Sequence, residues 1–229
     1  MKKIITLLVA LVSVLSFAGA EQVYKTFSDG VSRLVEKSEE LYKYDAKGNN
    51  TYTKSYDGSE SWYEYDGKGN EVRAKFSDGF SAQYAYDAKG NLLKAKYSDG
   101  SEVAYEYDAK GNLSHTKSSD GSEIWYEYDS KGHEIHAKYS DGYECWYEYD
   151  KKGNRIRDRD SDGAEVRYEY DKNGNAVHST YADGYECWYE YDAKGYLIHD
   201  KDSDGAETRY EYIFNAKGLV TQKIIYSFS

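Results

Sequence analysis

The sequence predicts an all-β protein of tandem hairpins, and three observations carry that expectation. The motif Y-x-Y starts at Tyr42, Tyr63, Tyr84, Tyr105, Tyr126, Tyr147, Tyr168, Tyr189 and Tyr210, an unbroken 21-residue period. Two turn signals punctuate each unit, an x-K-G-N type after the YD and an S-D-G type midway. The segments between turns are too short for ordinary helices and are rich in Tyr, Val, Ile and Trp. Composition alone points the other way, because charged residues make up 31% of the chain and aliphatics are few. Periodicity overrules it, since 28 tyrosines at fixed positions supply the missing apolar surface.

In chain order, residues 1–20 read as a secretory signal peptide. Two lysines precede an apolar stretch from Ile4 to Phe17, and Ala18-Gly19-Ala20 forms a small-residue cleavage site. No transmembrane segment is expected after cleavage, and the destination is secreted, periplasmic or cell-surface. Residues 21–41 form an N-terminal cap, within which VSRLVEKSEEL reads as a short amphipathic helix. Residues 42–209 hold eight regular repeats. The last unit, 210–229, is two residues longer and ends in the apolar strand Lys223 to Phe228, which suits a terminal unit that closes a core.

Loop lengths follow from requiring both strands of a hairpin to agree on an apolar face. A three-residue Ser140-Asp141-Gly142 loop sets Ala137 against Cys145, and a four-residue Lys151 to Asn154 loop sets Tyr149 against Ile156. The inner face then carries Cys145, Tyr147 and Tyr149 with Val72, Leu93, Ile135 and Ile156. The outer face carries Glu144, Trp146 and Glu148 with Arg155, Arg157 and Arg159. About 18 strands in one antiparallel meander are expected to twist and curl into a spiral or solenoid-like sheet.

The segment DGSEVAYEYDAKGN, Asp99 to Asn112, resembles the YD or RHS repeat of bacterial and teneurin-type surface proteins, and the likeness extends from Tyr42 to about Gly218. The resemblance implies hairpins wound into a spiralling sheet, often a hollow shell around a toxin, although this chain is far shorter than such shells. A weaker resemblance, carried by YECWYEYD, is to choline-binding repeats.

Four groups of residues are candidates for chemistry. Cys145 and Cys187 occupy equivalent positions 42 residues apart; a bridge between them requires one solenoid turn per two units, because a plain meander separates them by roughly 19 Å. Asp158, Asp160 and Asp162, with Asp200, Asp202 and Asp204, match the acidic spacing of a calcium loop, so Ca²⁺ is the one cofactor considered. Solvated carboxylates explain the same runs. Trp62, Trp125, Trp146 and Trp188 face outward, with His115, His136 and His178 beside three of them and Lys138, Arg159 and Lys201 on the far side. Such platforms suit sugar rings or cationic headgroups, and equally serve as cross-strand packing.

No nucleophile and base can be assembled by spacing, so the expectation is a non-enzymatic binding or structural protein. Its partners would be carbohydrate or an envelope or surface protein. The alternatives are an aromatic-cage module of choline-binding type and an accessory of an RHS-type toxin system. A net charge of −11 argues against nucleic acid.

Overall fold

The computed structural model describes residues 20–27 and 29–228, so all but the last residue of the expected signal peptide lies outside the described part. Nineteen strands follow one another, and no helix occurs among the described residues. β1 (Glu21–Thr26) and β2 (Ser32–Tyr44) form the first hairpin. From β3 (Asn50–Lys54) to β17 (Leu197–Asp202) each strand has five or six residues; β18 (Glu207–Phe214) and β19 (Val220–Phe228) are longer.

Each motif letter has a structural task. In the turn after Tyr86, Asp87 Oδ1 accepts the N–H groups of Lys89 and Asn91, both at 2.8 Å, while Oδ2 accepts the Asn91 amide at 2.9 Å. In the S-D-G turn, Asp78 Oδ1 accepts the Phe80 N–H at 2.8 Å. Gly142 ends its turn at φ 95°, a left-handed backbone that a side chain would strain. The serine joins one hairpin to the one before: Ser77 donates its N–H to the Glu60 carbonyl (2.9 Å), and its Oγ accepts the Glu60 N–H (3.1 Å). Repetition of YD, KGN and SDG is thus repetition of turn closures and of contacts between neighbouring hairpins.

The predicted registers hold in the strand interiors: Ala137 lies opposite Cys145, and Glu148 opposite Arg157. One correction applies at every long turn. A β-bulge between Glu148 and Tyr149 brings Arg155, not Ile156, opposite Tyr149. The inner wall therefore carries Glu71, Leu92, Glu134 and Arg155, whereas Val72, Leu93, Ile135 and Ile156 are the extra residues of their bulges. Leu93 is 44% exposed and Ile198, its equivalent in a later unit, 36%. The second tyrosine of Y-x-Y serves this bulge, since Tyr107 donates its hydroxyl to the Leu92 carbonyl at 3.0 Å and Tyr170 to the Arg155 carbonyl at 2.6 Å.

The sheet does not remain an open spiral or become a solenoid. β19 pairs antiparallel with β2, Gln222 opposite Leu41 through Ser227 opposite Glu36, so β2 to β19 form a closed ring of eighteen strands. Closure removes the free edges that a meander of this length would expose. Lys217 seals the same seam at one rim by donating to the Ala46 carbonyl at 3.0 Å. No strand approaches another within 8 Å between Cα atoms unless the two are ladder neighbours, so the walls stay apart. Eighteen strands at ~4.8 Å give a circumference of about 86 Å and a backbone diameter of at least about 27 Å, in the range where barrels keep an aqueous bore.

The expected cap helix is instead strand β2, whose first half pairs with β1, Glu21 opposite Lys37 through Thr26 opposite Ser32. Both halves of β2 have a strand beside them, and backbone pairing along thirteen residues outweighs the helical spacing of its apolar residues. This hairpin lies over the outer face of β18 and β19. Lys25 Nζ meets Glu211 at 2.7 Å and the Tyr226 hydroxyl at 3.1 Å, and Phe27 packs on Tyr226 and Phe228 with the Arg209 guanidinium over its ring. Val35 and Tyr226 fall to 2% and 4% exposure there. Elsewhere the buried positions include the small residues Ala74, Ala95, Thr116, Ala137 and Ser179, each opposite the first tyrosine of a Y-x-Y pair, and Ala82, opposite Ala74.

The turn carboxylates fix the acid limit of the fold. Hydrogen bonds from the Asn70 side chain first, then from backbone N–H groups, hold Asp66 below its usual range; for Asp87 the Asn91 backbone N–H contributes most. An acid whose folded pKa is depressed adds stability above its unfolded value, near 3.9, and loses it as pH falls through the folded value. Urea melts are therefore expected to give constant stability from pH 7 to about 5 and a steep decline below about 4.

Candidate binding site

The bore wall is built from the inward positions of every strand. Tyrosines line it, and burial raises the hydroxyl pKa of Tyr84 and of Tyr105, the latter to about 12. Among them stand Glu36, Glu40, Glu71, Glu134, Asp158, Asp160, Asp200 and Asp202, against two inward bases, Arg155 and Lys223. The wall is therefore phenolic and acidic. Burial pushes the Glu71 carboxyl up; it does the same to Glu134, where Arg155 pulls the other way. A raised carboxyl pKa disfavours the folded state once ionised, so Glu71→Gln is expected to raise the melting temperature at pH 7 by a few degrees and to have no effect below about pH 4. An unchanged difference across that range would show that charge is not the cause.

The aspartate candidates are taken up by donors from the protein. Asp158 pairs with Arg155 and accepts the Tyr168 hydroxyl at 2.7 Å; Asp200 accepts that of Tyr210 at 2.5 Å. Asp160 Oδ1 accepts the N–H groups of Asp162 and Ala164, and its Oδ2 the Tyr143 hydroxyl at 2.7 Å. Asp202 repeats the arrangement with Tyr185, at 2.7 Å. Asp162 and Asp204 lie exposed at turn tips. Among the described residues no cluster of three or more acidic, His or Cys side chains is placed to hold a metal. The spacing match came from the Glu of Y-x-Y, Glu169, falling eleven residues after Asp158; Asp158 and Asp160 share the inner face, whereas Glu169 lies opposite His178 on the outer one.

These bonds also explain why units alternate in style. A tyrosine after one S-D-G turn, Tyr143 or Tyr185, reaches the aspartate that replaces an aromatic in the next hairpin, so the two-unit block is a donor followed by its acceptor.

Cys145 in β12 (Glu144–Tyr149) and Cys187 in β16 (Glu186–Tyr191) are free. The meander leaves three strands between theirs, beyond the span of a disulfide, which removes the bridged alternative along with the solenoid. Ser61, Ala82, Val103 and Val166 occupy the same inward position in other units, so the thiols serve as wall residues.

On the outer face the expected neighbours are in place. Trp146 has His136 stacked on it (5.4 Å, 10°) and the Arg159 guanidinium 4.9 Å from its centroid; Trp188 sits between His178 (5.3 Å, 11°) and Lys201 (5.3 Å). Trp125 stacks on His115, and Trp62 tilts against Tyr52; these two remain 41% and 39% exposed. Each imidazole is bracketed by carboxylates, as His136 is by Glu144 at 3.0 Å and Glu127 at 3.6 Å, a place that Arg157 fills in another unit with Glu148 and Glu165. Trp146 and Trp188 thereby pack against both neighbouring strands. The bore carboxylates Glu71 and Glu134 were missed in the sequence because the bulge shifts parity by one; the signal was a polar residue after Asn or His where an aliphatic follows.

Closed ring, hairpin repeat and aromatic lining together define a β-shell protein. The model of the teneurin YD-shell family matches residues 30–168 and 76–226 in two overlapping stretches, and the chain belongs to that family. Among solved structures, TcdB2-TccC3 shares 17% identity over 90% of this chain with a TM-score of 0.42. The Photorhabdus luminescens Tc holotoxin pore shares 14% over 85%, at 0.40. This chain spans 14% and 16% of those chains. A porin-like protein from Bacteroides uniformis shares 11% over 84% of this chain and 96% of its own length, with a TM-score of 0.47. No curated protein matches the chain.

Proposed function

We propose that this protein is an exported, non-catalytic shell that holds a cationic guest, a Lys- and Arg-rich polypeptide segment, against the inner wall of its barrel. The observation that carries the reading is the makeup of that wall, tyrosine rings with eight carboxylates facing two bases. Phenol faces attract ammonium and guanidinium groups, and carboxylates in a partly desolvated bore add attraction that bulk water screens less. The Arg155 guanidinium, 3.7 Å from the Tyr147 centroid, already uses this chemistry within the chain. Export rests on the first twenty residues. The outer face is rich in Glu, Lys, Arg and His, which argues against a lipid-embedded barrel.

The test is calorimetric titration with a basic peptide and an acidic peptide of equal length. Only the basic peptide should bind, and combining Glu134→Gln, Asp158→Asn and Asp200→Asn should weaken it at least tenfold. Binding indifferent to these changes but lost in Trp146→Ala would move the site to the outer face.

A further inference from the structure

The two rims of the barrel carry opposite chemistry. Because the strands form an antiparallel meander, all nine K-G-N-type turns lie at one end of the ring and the eight S-D-G-type turns between its strands at the other. The first rim has lysine at the second turn position in eight of its nine turns, from Lys47 to Lys217, and Lys172 beside the exception, Asn173. These lysines are all exposed, and three are seen to run along the rim, Lys47 Nζ reaching the Gly67 carbonyl, Lys68 that of Ala88 and Lys217 that of Ala46, each at 3.0 Å. With Lys151 the rim has ten lysines against the eight aspartates of its turns, whose Oδ1 atoms accept N–H groups of those same turns. The opposite rim has an exposed aspartate at every turn from Asp57 to Asp204, two more at Asp160 and Asp202, and no lysine or arginine in any of its turns.

Both rims are cut from the same hairpins, so their charges repeat at one interval, two strand spacings or about 10 Å. A rim about 86 Å around and about 10 Å thick offers on the order of 800–900 Å², near the ~800 Å² that each partner contributes to a stable interface. We propose that copies of this chain associate head to tail, the aspartate rim of one seated on the lysine rim of the next, with their bores in line. Such an interface uses two different patches, so it extends into a column of copies and does not stop at a dimer. The proposal is independent of what the bore holds.

The net charge of −11 sets the conditions. At ~0.01 M salt, charges act over about 30 Å and whole barrels repel; at ~0.1 M only about 10 Å remains, which favours rim contact, and at 1 M contacts within a few ångströms are also screened. Sedimentation velocity and negative-stain microscopy of the chain from Glu21 onward should find columns near 0.1 M salt and single barrels at 1 M. Reversing one rim (Asp99→Lys, Asp141→Lys, Asp183→Lys) should abolish association, as should reversing the other (Lys89→Glu, Lys131→Glu, Lys194→Glu). Mixing the two variants should restore it, because each then offers the charge the other lacks. All six sites are exposed turn positions, and circular dichroism checks that both variants keep the sheet. Single barrels at 0.1 M, or association that survives either reversal, would overturn the proposal; so would two variants that stay apart when mixed.

Discussion

Tyr226→Ala is expected to lower stability by about 3–5 kcal/mol, a fall of roughly 6–20 °C in melting temperature for a chain of this size. The ring is 4% exposed, the deepest aromatic side chain among the described residues, and the hydroxyl joins Lys25 of the β1–β2 hairpin to Glu211 of β18. Removal leaves Phe27 without its edge-to-face partner and the Lys25 ammonium with one bond fewer. Tyr226→Phe separates the two contributions, since it keeps the packing and loses the hydrogen bonds, at a cost of about 1 kcal/mol. Differential scanning calorimetry of both variants is the measurement. Equal losses would mean that the hydroxyl, not the ring, anchors the hairpin.

Ile225→Pro should have the second large effect, about 3 kcal/mol or more with a change of assembly state. Ile225 lies opposite both Tyr210 and Ser38, in the strand that joins the end of the array to its beginning. A proline there removes a ladder hydrogen bond and crowds a neighbouring carbonyl, so the ring opens and β2 becomes an unpaired edge. Open edges of this kind recruit other strands. Size-exclusion chromatography should show aggregates growing with concentration, and limited proteolysis should cut first between Val220 and Phe228. A variant that elutes and resists protease like the parent would show that the seam is not needed for integrity.

How far the sequence could be read follows from which interactions are local. Turn lengths, hairpin registers and the neighbours of Trp125, Trp146 and Trp188 were legible because side-chain parity across a short turn admits one solution. The bulge was not, since Arg155 and Ile156 are both credible wall residues and only the Tyr170 hydroxyl, fifteen residues on, decides between them. β2 misled because VSRLVEKSEEL has helical spacing while its partners, β1 and β19, lie far apart in the chain. Ring closure was illegible for a related reason. It depends on a small curvature added strand by strand, which no single unit records. Of the candidate site, the tyrosines and the aspartates Asp158, Asp160, Asp200 and Asp202 were legible, whereas Glu71 and Glu134 were not, because the bulge displaces them.

The seam has a kinetic meaning as well. Every other ladder within the ring joins strands adjacent in the chain, so hairpins can zip in turn as the polypeptide emerges, on the fast time scale of local contacts. Only β2 must wait for a partner more than 180 residues away. Circularisation is thus the slow, final event of folding, and until it occurs the nascent array is vulnerable at its leading margin.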